Sequence, residues 1–196
     1  MNSFVTNQLL NEEIYLDAQN MNYNNLEKMI TGKLNTKISG KCYNNGYVIP
    51  NTTEFIKKTL GKVVNVDNKN KILYNIKFSV KMLIPSKGDI ISCYIDGINK
   101  MGIIAYIKMG EVIDGYEGED NLKSSPLIIM IPADKIHNIE EKNVKQKIKV
   151  YIKAVRVKYG TSEIQLVAND VDYLVHNIMK DKEISYEEAL KIVENA

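Results

Sequence analysis

Tryptophan is absent from the 196 residues, and there are only three phenylalanines, four prolines, two cysteines, two histidines and a single arginine, Arg156. Two thiols (Cys42, Cys93) and two imidazoles (His137, His176) are too few and too widely spaced for a zinc ligand set. They supply no disulfide framework either, which points to a reducing compartment. The same scarcity leaves no Ser-His or Cys-His nucleophile pair that spacing supports, and both histidines read as surface groups. The longest aliphatic run, Leu127 to Ile131, is far short of the roughly 20 residues that span a bilayer. The start, Met1-Asn2-Ser3-Phe4-Val5-Thr6-Asn7, has no basic region ahead of an apolar stretch and reads as no secretory signal. Thr59-Leu60-Gly61-Lys62 lacks the first glycine and the closing hydroxyl residue of a phosphate loop. The acids Glu111, Asp114, Glu117, Glu119 and Asp120 stand among glycines without EF-hand spacing and read as a solvated loop. No catalytic residue, metal site or cofactor is therefore expected.

Charge is plentiful but balanced: 26 basic and 24 acidic residues leave a net +2. Twenty-five of the basic residues are lysines, beside 22 asparagines and 27 isoleucines. All three residue types are encoded by A/T-rich codons, so lysine richness by itself is no argument for nucleic-acid binding. The chain length suits two small units rather than one. Residues 1–85 read as mixed α/β: a strand at Glu13 to Leu16, a helix from Tyr23 to about Lys37, a hairpin centred on Asn45-Gly46, and a strand from Leu73 to Ile84. In that last strand Ile76, Phe78, Val80 and Met82 share one side. Residues 86–170 turn all-β, with five short strands at Ile90–Ile95, Ile103–Ile107, Leu127–Ile131, Ile148–Lys158 and Ser162–Ala168. Closure into an OB-type barrel would remove their exposed edges. Residues 171–196 form a helical tail, with a capping box at Ser185-Tyr186-Glu187-Glu188. The fold class is α+β.

One stripe carries chemistry. Lys147, Lys149, Tyr151 and Lys153 alternate with Ile148, Val150 and Ile152, and the parity flips afterwards so that Arg156 and Lys158 are polar. A bulge near Ala154-Val155 would keep all the cations on one side. Lysines meet phosphates and a tyrosine can stack a base, which is the chemistry of sequence-tolerant single-strand binding. A solvated strand face remains the other reading. The second and third barrel strands offer few rings, Tyr94 and Tyr106 being the nearest.

The order of several short motifs resembles the stalk subunit of multisubunit DNA-directed RNA polymerases, the family of the seventh subunit of eukaryotic RNA polymerase II and its archaeal counterpart. The residues that carry it are Ile38-Ser39-Gly40-Lys41-Cys42, Gly46-Tyr47-Val48-Ile49, and Tyr74 to Val80 running into Pro85-Ser86-Lys87-Gly88-Asp89-Ile90-Ile91. The resemblance covers about residues 10–172. Ser3 to Asn7, Leu60 to Asn65 and Ala168-Asn169-Asp170-Val171-Asp172 look like the versions carried by large cytoplasmic DNA viruses. The family implies a non-catalytic polymerase subunit, in virion and infected-cell cytoplasm if viral and in the nucleus otherwise. It implies an N-terminal tip domain docked near the clamp of the largest subunits and the small common subunit, through Ser39, Gly40, Lys41, Tyr43, Asn45, Gly46 and Tyr47. It further implies a barrel that touches nascent single-stranded RNA weakly, a possible second stalk subunit and no membrane. The rival expectation is a stand-alone single-strand RNA-binding protein of translation or decay.

Overall fold

The computed structural model describes residues 4–20, 23–113, 116 and 118–194. In the first half, β1 (Val5–Asp17) is followed by α1 (Leu26–Ile38), then by β2 (Cys42–Tyr43), β3 (Gly46–Val48), β4 (Glu54–Lys58), β5 (Lys62–Val66) and the long β6 (Lys69–Leu83). β6 organises this half. β1 runs antiparallel to it over its whole length, and β3, β4 and β5 share its other edge in succession. Tyr74, Ile76, Phe78, Val80 and Met82 point from β6 into a core closed by Ile30, Leu34 and Ile38 of α1. The alternating pattern predicted this side correctly.

β1 is much longer than the Glu13–Leu16 expected, because continuous pairing with β6 holds the polar residues that its own sequence would not. The hairpin also turns one residue earlier than expected. Tyr43 pairs with Gly46, so Asn44 and Asn45 form the loop, with Asn44 at φ 52°. Gly46 sits in the ladder, where an added Cβ would lie 2.5 Å from the Leu83 carbonyl oxygen. The glycine therefore serves a close backbone approach and not the turn. Asp67 and Asn68 join β5 to β6, both left-handed as a two-residue type I′ loop requires.

The second half is a closed barrel of β7 (Ile90–Asn99), β8 (Gly102–Tyr106), β9 (Leu127–Pro132), β10 (Lys147–Val157) and β11 (Ile164–Asp170). The strands follow one another around it as β7-β8-β9-β11-β10, and only β9 and β11 are parallel. Counted within the barrel this is the order 1-2-3-5-4, consistent with an OB type. Its core extends into the first half, taking in Phe4, Cys42, Tyr47, Ile49 and Leu83. Backbone bonds join the same regions: Cys42 N–H donates to Thr161 (2.6 Å) and Gly160 N–H to Cys42 (2.8 Å). Each half thus has its own core, and the barrel core reaches across residue 85 to take in these five residues of the first half.

The tail folds as α2 (Val171–Lys182) and α3 (Tyr186–Glu194). The capping box is present, with Ser185 N–H donating to the Glu188 carboxylate at 3.1 Å and Glu188 N–H to Ser185 Oγ at 3.4 Å. Val171, Val175, Ala189 and Val193 pack over Ile90 and Tyr151 on the outside of the barrel. Among the described residues no helix is long and apolar enough to cross a membrane.

Both cysteines are free and buried. Burial pushes the Cys93 thiol up to about 12 and raises that of Cys42. Since the thiolate is the reactive form, neither should be labelled by a thiol reagent until the chain unfolds. Fast labelling of native protein would contradict the placement of these strands.

Candidate nucleic-acid interface

In β10, Ile148, Val150 and Ile152 are buried in the barrel, while Lys147, Lys149 and Lys153 are exposed. Ile152 pairs with Ala168 and Ala154 with Val167, so Lys153 is the extra residue of a bulge. The irregularity lies one residue before the expected position. Beyond it Val155 and Val157 turn to the core and Arg156 stays outside, so the cations do share the outer surface. Lys158 follows the strand and is exposed.

Much of the stripe is engaged within the chain. Lys147 Nζ lies 2.8 Å from Glu111 and Lys149 Nζ 3.4 Å from Glu194 of α3. Tyr151 is half-buried beneath the tail, with Lys153 Nζ 4.6 Å from its ring centroid. Its enclosure makes it a packing residue rather than an open stacking platform. Within the stripe, the cations without an acidic partner among the described residues are Lys153, Arg156 and Lys158.

Tyr94 is the centre of a second grouping. It pairs across the sheet with Tyr106 on one side and Lys147 on the other, the tyrosine ring centroids 6.2 Å apart. Lys108 Nζ sits 4.1 Å from the Tyr94 centroid, a cation–π distance, and the Tyr94 hydroxyl donates to Glu111. Hydrogen bonds from Lys147 and Tyr94 hold the Glu111 carboxyl below its usual range. Tyr106 is buried, leaving Tyr94 as the ring partly open to solvent. Glu111 is thus a counterion for the stripe, although the sequence placed it in a loop of its own. Asp114 and Glu117 of that loop lie outside the described residues. Among the described residues no group of three or more His, Cys, Asp or Glu side chains is placed to hold a metal ion.

The residues expected to dock a partner are distributed unevenly. Tyr43 and Tyr47, expected as anchors, are each only 8% exposed. Tyr43 donates its hydroxyl to Glu12 and packs 5.8 Å from the Tyr159 ring, while Tyr47 belongs to the barrel core. Gly46 is closed in by β6. What remains outside is Asn44 and Asn45 at the loop, with Ser39, Gly40 and Lys41 half-buried beside it.

The histidines, expected as separate surface groups, are half-buried and stacked, with centroids 3.6 Å apart and planes 18° from parallel. α2 folds back beside the segment after β9 and brings them together, a long-range consequence invisible in their spacing. Close by, Lys142 bridges Asp170 and Asp172 at 3.2 Å each, and the Tyr186 hydroxyl donates to Asp172 at 2.9 Å. This network ties the tail to the barrel.

Comparison with models of known protein families finds no match, and comparison with curated proteins finds none either.

Proposed function

We propose that the chain is a non-catalytic stalk-type subunit of a DNA-directed RNA polymerase, docked near the clamp of the largest subunits and the small common subunit and touching emerging RNA weakly. The observation that supports it most is the closed barrel of OB strand order whose core takes in Cys42, Tyr47 and Ile49 of an α/β half that carries the segment Ile38 to Ile49. RNA contact is to phosphates, because Tyr151 lies under the tail and Tyr106 is buried. Docking falls to the exposed Asn44-Asn45 loop with Ser39, Gly40 and Lys41, since Tyr43 and Tyr47 serve the chain's own packing. A second stalk subunit remains part of the reading as a possible partner.

The internal use of Tyr43 and Tyr47 is also the observation that favours the second reading, a stand-alone single-strand RNA-binding protein. Affinity purification of the tagged full chain from its own cells separates the two. The polymerase reading expects very large catalytic chains in equal amount, lost when Asn44→Arg is combined with Asn45→Arg. Recovery of the chain alone or with ribosomes would overturn it.

A further inference from the structure

α1 covers one face of the N-terminal sheet and leaves the other to solvent. The register determines what stands there. Residues opposite the core positions of β6 are Lys69, Lys71, Leu73, Asn75, Lys77, Ser79 and Lys81, and cross-strand partners share their face. β1 adds Asn7, Leu9, Asn11, Glu13, Tyr15 and Asp17. β4 and β5 add Glu54, Lys57, Lys62, Val64 and Val66, the bulge at Ile56 having brought Lys57 onto this side.

The open face therefore carries six lysines against three acids, Glu13, Asp17 and Glu54. Among the described residues none of these lysines makes an ion pair, in contrast to Lys147 and Lys149 on the barrel. Lys57 and Lys77 are direct cross-strand partners, an arrangement of like charges that weakens a sheet. An anion laid across the face would relieve that repulsion. Between the cations stand the exposed amides of Asn7, Asn11 and Asn75 and the Tyr15 ring, groups able to meet bases. Leu9 is the single strongly exposed apolar side chain on this face of β1 and β6, too little to insert in a bilayer.

We propose that this open sheet face is a single-stranded nucleic-acid site, with Lys57, Lys77 and Lys81 as its principal phosphate contacts. The site stands on the charge geometry alone and does not require the polymerase reading, but it gives that reading a larger RNA surface than the barrel stripe.

Binding of the full chain to a labelled mixed-sequence RNA oligonucleotide, measured by anisotropy over a salt series, tests it. With about four phosphates engaged, log affinity should fall against log salt with a slope near −3, at about 0.7 per contact. Lys57→Gln with Lys77→Gln should weaken binding about tenfold at low salt and flatten the slope by about 1.4. Lys180→Gln with Lys182→Gln, in the last turn of α2 and outside both surfaces, should leave affinity within about twofold under the same conditions. An unchanged urea midpoint in the first variant would show that the fold survives. The proposal is overturned if the sheet variant binds like the unchanged chain. It is overturned equally if polyglutamate or anionic vesicles bind as tightly as RNA. Failure here with intact recovery of polymerase chains would leave the proposed function standing, and the reverse result would remove that function while keeping this site.

Discussion

Replacing Asp170 with alanine is expected to destabilise the chain by about 3 kcal/mol, the lower end of the range for breaking a buried ion pair. The Asp170 side chain is 2% exposed and that of Lys142 9%, with Nζ and carboxylate 3.2 Å apart. Asp170 also caps α2, accepting from Asp172 N–H at 3.3 Å. Without it Lys142 keeps only Asp172, a half-exposed partner at the same distance, which is why the loss falls short of the upper end of the range. Urea unfolding checks the figure, with an unchanged slope and a lower midpoint expected. A loss below about 1 kcal/mol would mean that Lys142 reaches water when its partner is removed.

The same network sets an acid limit. Burial alone would raise the Asp172 carboxyl, but hydrogen bonds from Tyr186 and Lys142 outweigh it and hold the group below its ordinary value. A depressed folded-state value gives stability that is fully present above the unfolded-state value, near pH 4, and is lost as pH falls through the folded value. The tail should therefore stay docked through neutral and mildly acidic pH and loosen only below about pH 4. Tyrosine fluorescence and amide exchange in α3 follow that transition. Loosening between about pH 5 and 7 would contradict this assignment.

Gly102→Ala is the second large effect, expected to cost about 2–6 kcal/mol. Gly102 opens β8 at φ +136°, a conformation that L side chains rarely adopt, and an added Cβ would meet the Ile131 carbonyl oxygen at 2.0 Å and Ala133 N at 2.8 Å. Backbone strain accounts for about 1–3 kcal/mol and overpacking against fixed backbone for about as much again. The neighbouring chain cannot yield easily, because Ala133 N–H is bonded to Met101 O at 3.0 Å and Gly102 pairs with Pro132. Damage should be local to the β7–β8 turn at first, seen as early amide exchange at Gly102 to Ile104. Gly97→Ala, with nothing within 4 Å of its Cβ, is the matched control and should change stability little. Equal stability of the two variants would contradict the barrel register.

Local pattern carried much of this fold. The alternation of Ile76, Phe78, Val80 and Met82 and that of Ile148, Val150 and Ile152 predicted which faces are buried, and the barrel strands were visible as apolar runs between turns. The features that pattern missed are long-range. Glu111 and Glu194 neutralise Lys147 and Lys149 from 36 and 45 residues away, so a lysine stripe evident in sequence is partly satisfied in space. Tyr43 and Tyr47 read as docking residues because nothing local shows that residues 159–161 close over the hairpin. The open-face lysines escaped notice for the opposite reason. They come from three strands, and only the β4 bulge and the register on β6 align them.

Whether the chain is a polymerase subunit that lies along emerging RNA is decided by crosslinking. Transcription complexes are stalled and purified through a tag on this chain, with a photoreactive uridine placed at increasing distance from the RNA 3′ end. This chain should be crosslinked once the label has left the exit path, and the labelled peptides should come from β4 and β6, around Lys57, Lys77 and Lys81. Crosslinks confined to other chains at every label position, or no polymerase recovered through the tag, would contradict it.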